Sequence, residues 1–267
     1  EDYQQNQAAM FDMMDDVKNK KARIGSLEAI LKNHSHFYAG VKSVLQEADR
    51  LGGIIGAVSE KLSFDPHYQT ALEIALGASS QHIIVEDEPA ATQAIEFLKR
   101  NRTGRATFLP LTTIKARHLP DHHRAIIEKS TGFLGLASSL VRYDMSLEHI
   151  FQNLLGTTAI FDTIENARAA ARKVRYQVRI VTLDGTELRT GGSYAGGAHR
   201  NNNTIFIKPE LEALQKELSE KNVILVEQEK RVEDLHTLSI QSTNLLEEIK
   251  TDGEEARLAE QKAQFAY

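Results

Sequence analysis

Apolar residues recur every three or four positions at both ends of the chain, and between the ends this spacing breaks into short mixed runs. With position a of a heptad at Met10, the a residues are Met10, Val17, Ile24 and Leu31, and the d residues are Met13, Lys20, Leu27 and His34. Towards the other end, a falls on Leu211, Leu218, Leu225, Val232, Ser239, Leu246 and Gly253, and d on Leu214, Lys221, Gln228, Leu235, Ser242, Ile249 and Ala256. A seam this narrow, set among Glu, Lys, Gln and Asn, predicts coiled coil; a helix packed on a globular core shows a wider apolar stripe. Lys20, Lys221, Gln228 and Ser239 interrupt the seam, weakening it locally and offering a way to pin register. One long helix enters the middle of the chain and another leaves it, so each is the other's nearest partner. The expected arm is therefore an antiparallel, intramolecular coiled coil. Two amphipathic helices lying on the globular centre are the alternative.

Helix breakers set the limits of that centre. Fourteen of the 16 Gly and four of the 5 Pro lie between Phe37 and Ile207, while the flanks hold only Gly25, Gly253 and Pro209. Residues 1–36 and 208–267 are read as coiled-coil arms, and 37–207 as a globular domain. Within it, Asp65 and Pro66 start the helix HYQTALEIAL, which Gly77 closes. QHIIVE (81–86) reads as a strand, a helix follows from Pro89 to Arg100, and after Gly104 comes the strand ATFLPL. The order then recurs: SLEHIFQNLL (146–155), Gly156, the strand TTAIF, a helix capped by Asp162, the strand VRIVTL and a turn at Asp184 and Gly185. This helix–Gly–strand–helix–strand repeat predicts an α/β (α+β) domain of two related lobes, about 37–119 and 146–207, joined by a linker at about 120–145.

Composition narrows the chemistry. Lys and Arg number 32 against 37 Asp and Glu, a formal charge of -5, so there is no overall basic excess. With no cysteine among the 267 residues, disulfide scaffolds, thiol nucleophiles, iron–sulfur clusters and Cys-ligated zinc sites are excluded. No apolar run approaches the ~20 residues of a membrane span, and EDYQQNQAAM lacks the pattern of a signal peptide. A chain that opens on Glu1 reads as an excerpt of a longer protein, expected in the cytoplasm.

No Gly-x-x-x-x-Gly-Lys-Ser/Thr string exists to hold nucleotide phosphates; Gly52, Gly53 and Gly56 fit tight turns better. His118, Asp121, His122 and His123 form the one metal-like cluster, in a Pro-containing stretch that reads as surface loop. Ser138, Ser139 and Ser193 have no base that sequence can place beside them. No catalytic residue is assigned. Positive charge gathers at Lys99, Arg100, Arg102 and Arg105, and again at Arg168, Arg172, Lys173, Arg175 and Arg179. Either group fits a solvated helix end that meets the helix dipole, or a weak, salt-sensitive contact to DNA phosphates. Gly191, Gly192, Gly196 and Gly197 concentrate four glycines in seven residues. Each loses extra backbone entropy on folding, a cost that makes sense if another backbone approaches closely there.

Several stretches resemble the hinge domain of bacterial structural maintenance of chromosomes (SMC) proteins: YAGVKSVL at 38–45, GIIGAV at 53–58, ALEIALG at 71–77, GRATFLPL at 104–111, and RIVTLDG at 179–185 running to GGSYAGG at 191–197. The resemblance spans roughly 37–207, and the arms suit the coiled coil that flanks such a hinge. It implies a two-lobed homodimerisation domain in which lobe two of one chain meets lobe one of the other, with Gly191, Gly192, Gly196 and Gly197 at the contact. It further implies a nucleoid-associated parent protein that organises DNA in chromosome condensation and segregation. Its ATPase head, with ATP, Mg and the binding sites for other condensin-type subunits, would lie outside these residues, leaving this piece without a cofactor. A coiled-coil scaffold with an α/β spacer and a monomeric α/β enzyme domain are the competing readings.

Overall fold

The computed structural model describes residues 2–197 and 206–265. It divides into two compact units, Glu1–Ser26 with Glu212–Tyr267, and Leu27–Leu211.

The first unit is built on helix α1 (Asp2–Lys32) and the last helix of the chain, α9 (Ile207–Phe265). Polar and aromatic pairs between them set their direction. Lys20 pairs with Glu217 at 3.0 Å, Asp16 pairs with Lys221, the Gln228 amide donates to the Asn6 backbone and side chain at 3.1 Å, and the Tyr3 ring lies 5.2 Å from that of His236. Partners on α9 fall as those on α1 rise, so the helices run antiparallel. Val17, Ile24 and Val232 are the buried seam residues among those described in this unit. Three of the four polar seam positions are satisfied across the seam: Lys20 and Lys221 find carboxylates and Gln228 finds Asn6, whereas Ser239 is exposed. The Lys221 ammonium holds the Asp16 carboxyl below its usual range, and Asp16 in turn raises Lys221. Beyond Leu235, Leu246 and Ile249 continue the heptad but are exposed.

The second unit adds α2 (Ala39–Gln46), α3 (Ala48–Leu51), β1 (Ile54–Ala57), β2 (Leu62–Phe64), α4 (Gln69–Leu76), β3 (Ile83–Val85), α5 (Glu88–Asn101) and β4 (Phe108–Pro110). It continues with α6 (Asp121–Glu128), β5 (Phe133–Leu136), β6 (Val141–Tyr143), α7 (Glu148–Leu155), β7 (Thr158–Phe161), α8 (Ile164–Lys173), β8 (Arg179–Thr182), β9 (Glu187–Leu188) and β10 (Tyr194–Ala195). One sheet has the order β1-β3-β4, a second β10-β9-β8-β7-β5, and a two-stranded ribbon joins β2 to β6.

The two halves repeat each other closely. β1 pairs antiparallel with β3 across a bulge before Gly56, as β5 does with β7 before Gly135. β3 runs parallel to β4, as β7 does to β8. The Asp65 carboxylate accepts the His67 amide at 2.9 Å, and Asp144 accepts that of Ser146 at 2.8 Å, each capping a short 3-10 turn before the helix. Both middle strands are buried on both faces. Ile84 and Ile160 point to a central core shared by the halves, with Phe64, Leu72, Phe151 and Val181. Ile83 and Val85 pack beneath α2 and α5, and Ala159 and Phe161 beneath α6 and α8. Val58, Phe64 and Leu72 from one half and Ile150, Phe151 and Ile160 from the other fill one volume. The antiparallel pairs Leu62↔Tyr143 and Phe64↔Val141 stitch it together.

Two sequence expectations change. The stretch 120–145, read as a linker, contains α6, β5 and β6, and β5 is an edge strand of the larger sheet. Its strands alternate poorly because FLGLASSLVRY carries the bulge and a 3-10 turn between them. Helix α8 is capped by Thr163, whose hydroxyl accepts the Asn166 amide, while Asp162 instead receives the Asn166 side chain.

Candidate functional site

The glycines Gly191, Gly192, Gly196 and Gly197 bracket β10, the edge strand of the larger sheet opposite β5. The β9–β10 hairpin is closed by the Arg189 amide donating to Ser193 at 2.9 Å and the Gly192 amide donating to Arg189 at 3.0 Å. The Gly191 amide donates to the Tyr176 carbonyl at 2.9 Å, fixing the hairpin tip to the end of α8. Gly191, Gly192 and Gly197 have φ of +89°, +92° and +141°, where other residues are strained, so three of the four have a local reason that sequence reasoning missed. A side chain at Gly191 or Gly197 would meet nothing among the described residues within 4 Å. The space beside them is open. Gly196 has no such φ, and a Cβ there would reach Thr186 at 3.4 Å.

Beside the hairpin, α8 ends with Arg175 and Tyr176 both left-handed, at φ +51° and +55°. The Tyr176 amide reaches back to Ala171 at 2.8 Å, a closure that usually falls to glycine. This sets Tyr176 beneath Gly192 and against Tyr194, which is 46% exposed. Partial burial and the Tyr176 hydroxyl push the Tyr194 phenol up, and the charges of Arg168 and Arg172 oppose this.

The two basic groups sit at equivalent helix ends. Lys99 and Arg100 occupy the last turn of α5, and Arg102 is its left-handed cap at φ +54°. Arg168, Arg172 and Lys173 lie on α8, followed by Arg175. These residues and Arg105 are largely exposed. Arg179 is not free for a polyanion. Its guanidinium donates to Glu187 at 2.7 Å, to the Ala75 carbonyl at 2.6 Å and to the Ile74 carbonyl at 3.0 Å. Its place in a basic sequence run hid this, because the α4 carbonyls it meets lie just over 100 residues away.

Among the described residues, no group of three His, Asp or Glu could hold a metal ion. The stretch read as a surface loop instead begins α6 at Asp121, and on it the His122 and His123 rings meet tilted at 50°, with centroids 4.0 Å apart. The Ser139 hydroxyl donates to its neighbouring Leu136 carbonyl at 2.7 Å. Two modest cavities lie on the second unit, the first against the hairpin itself. One of about 280 Å³ is lined by Ile74, Gly185, Glu187, Arg189 and residues 195–197; one of about 200 Å³ is lined by Tyr38, Gln81, His82 and Arg105. Among the described residues no helix is long and apolar enough to cross a membrane.

An internally duplicated α/β unit with an open sheet edge, in a chain that also forms an antiparallel coiled coil, defines the architecture of a hinge. The sequence profile described as SMC proteins Flexible Hinge Domain matches residues 51–171. The chain is 42% identical over 231 residues to the Chromosome partition protein Smc of Bacillus subtilis, a match covering 85% of this chain and 20% of that protein. It resembles the crystal structure of an asymmetric dimer of the Geobacillus stearothermophilus SMC hinge domain with a TM-score of 0.83 and 38% identity, over 87% of this chain and 93% of that one. The Pyrococcus furiosus SMC hinge domain matches with a TM-score of 0.52 and 30% identity, over 68% of this chain and 91% of that one. The chain belongs to the SMC hinge family. It spans about a fifth of the length of the curated relatives it matches.

Proposed function

We propose that this chain is the homodimerisation hinge of a bacterial SMC ATPase that acts in chromosome condensation and segregation. The carrying observation is the β10 edge, a strand paired on one side only among the described residues, with open space beside Gly191 and Gly197. The internal repeat suggests its mate. β4 takes in the smaller sheet the place β8 takes in the larger, but the side of β8 that receives β9 is left open on β4 among the described residues. Lobe two of one chain, through β10, adds to β4 in lobe one of the other, and the two-fold axis makes two equivalent contacts. The dimer named for the Geobacillus relative supports self-association.

DNA contact, weak and without sequence preference, falls to Lys99, Arg100, Arg102, Arg105, Arg168, Arg172, Lys173 and Arg175. The fragment is non-catalytic; ATP, Mg and the further condensin-type subunits belong to the head of the longer protein, in the cytoplasm and on the nucleoid. Sedimentation of the 267-residue chain carrying Gly191→Glu and Gly192→Glu tests the reading. A folded monomer is expected, since both substitutions put desolvated charge into the contact. A double variant that stays a tight dimer moves the interface elsewhere.

A further inference from the structure

The hairpin that carries β10 hangs on short ladders. Ile180↔Leu188 and Val181↔Glu187 join β8 to β9, and Leu188↔Tyr194 and Glu187↔Ala195 join β9 to β10. So few backbone bonds leave an edge that opens locally. Beside it lies the cavity of about 280 Å³ between α4 and the hairpin, where side chains do not pack.

A polar clamp crosses this gap. Glu187 is 7% exposed, and a carboxylate so buried requires charged partners. Arg189 binds it at 2.9 Å but is itself 58% exposed, whereas Arg179 binds it at 2.7 Å from a side chain only 30% exposed. The remaining Arg179 donors go to the Ile74 and Ala75 carbonyls in the last turn of α4, which no intrahelical amide serves and where the helix dipole is negative. The planar guanidinium meets all three acceptors at once; an ammonium lacks that geometry. Burial raises the Glu187 carboxyl, but hydrogen bonds and charge from Arg179 and Arg189 outweigh it and hold it below the usual glutamate range.

We infer that Arg179 is the positioning residue of the dimer edge, tying β9 to α4 through Glu187 so that β10 is presented at a fixed height and tilt. This rests on β10 being the dimer contact. Glu187 lies directly across from Ala195, so a tilt of β9 passes straight into the backbone at Ala195 and Gly196.

The test compares dimer dissociation constants and amide exchange for the whole chain and for Arg179→Gln, Arg179→Lys and Glu187→Gln. The Gly191→Glu, Gly192→Glu double variant serves as control. Arg179→Gln is expected to weaken the dimer at least tenfold and to speed exchange at 187–195, with β3 and β7 still protected. Lys should restore only part of the affinity, and Glu187→Gln should behave like Arg179→Gln. If Arg179→Gln and Glu187→Gln dimerise as tightly as the parent while the glycine control is monomeric, the clamp is overturned and the edge reading stands. If the glycine control stays dimeric, both fall. If affinity drops only in step with protection throughout the unit, Arg179 is a general structural residue and the inference is overturned. Should Arg179→Gln not fold, the nearly isosteric Glu187→Gln decides by the same readouts.

Discussion

Gly77 and Gly156 occupy equivalent places after α4 and α7, yet they are glycine for different reasons, and alanine at each gives a quantitative contrast. Gly77 sits at φ +49° and ψ -131°, a conformation almost restricted to glycine, and a methyl group there would project into open space with nothing within 4 Å. Gly77→Ala should cost about 1–3 kcal/mol from backbone strain alone. Gly156 has ordinary helical angles, φ -66° and ψ -13°. A Cβ there would lie 2.5 Å from the Gln152 carbonyl oxygen and closer still to that of Arg117. Overpacking of this kind costs about 1–3 kcal/mol, and rigid backbone on both sides favours the upper end. Alanine regains about 0.5–1 kcal/mol at a helical position relative to glycine, leaving a net loss of about 2 kcal/mol. The two mechanisms separate with a larger side chain: valine should add little at residue 77, where space is open, and considerably more at 156. Urea unfolding with a constant m-value measures both. A Gly156→Ala variant within about 0.5 kcal/mol of the parent, the scatter of neutral surface changes, would refute the steric argument.

Four further outcomes are expected. Cysteines replacing Asn6 and Gln228, in a chain that has none of its own, should crosslink within one chain; crosslinks solely between chains would contradict the pairing of α1 with α9. Reversing the charge of Arg168, Arg172, Lys173 and Arg175 should flatten the log–log salt dependence of duplex DNA binding by about 0.9 for each phosphate no longer neutralised, and an unchanged slope would remove α8 from the DNA surface. Phe151→Ala, emptying the core shared by both halves, should cost about 3–5 kcal/mol, with both sheets losing amide protection together; protection lost in one sheet alone would mean the halves fold separately. His36 and His82 are held below the usual histidine range by burial, so the unfolded chain binds more protons between the lowered values and about 6.5. Their stability contribution is fully present above about pH 6.5 and declines as pH falls from there towards the lowered values, and stability curves of His36→Phe and His82→Phe should be flatter on that limb.

Much of this architecture is legible because it repeats. Seam positions return every seven residues, and the residues they name, Val17, Ile24, Lys20, Lys221 and Gln228, are buried in the helix pair or bonded across it. Asp65 and Gly77 punctuate one helix as Asp144 and Gly156 punctuate its equivalent, so local capping chemistry exposes the duplication before any long-range pairing is known. What escaped is what depends on partners distant in sequence. FLGLASSLVRY shows no strand period because a bulge and a 3-10 turn shift its register, although β1 and β2 carry the same device 79 residues earlier. Arg179 looks like one more cation in a basic run until α4 is placed beside it.

The proposed dimer edge is the hardest part to read, and for a physical reason. The halves differ where the second continues past its third core strand into β9 and β10, each only two residues long. Strands that short cannot display a period of two, so no hydrophobic alternation announces them. What the sequence does carry there is conformational: glycines at Gly191, Gly192 and Gly197 that the hairpin needs at positive φ, and a Glu187 that can be buried only if arginines meet it. Duplication explains the remainder. Once β4 is seen to stand where β8 stands, the bare side of β4 is a strand position the second half fills and the first half does not. The dimer proposed above joins the free edge at β10 to the open side of β4 among the described residues, and β8, which stands where β4 stands, receives β9 on that same side.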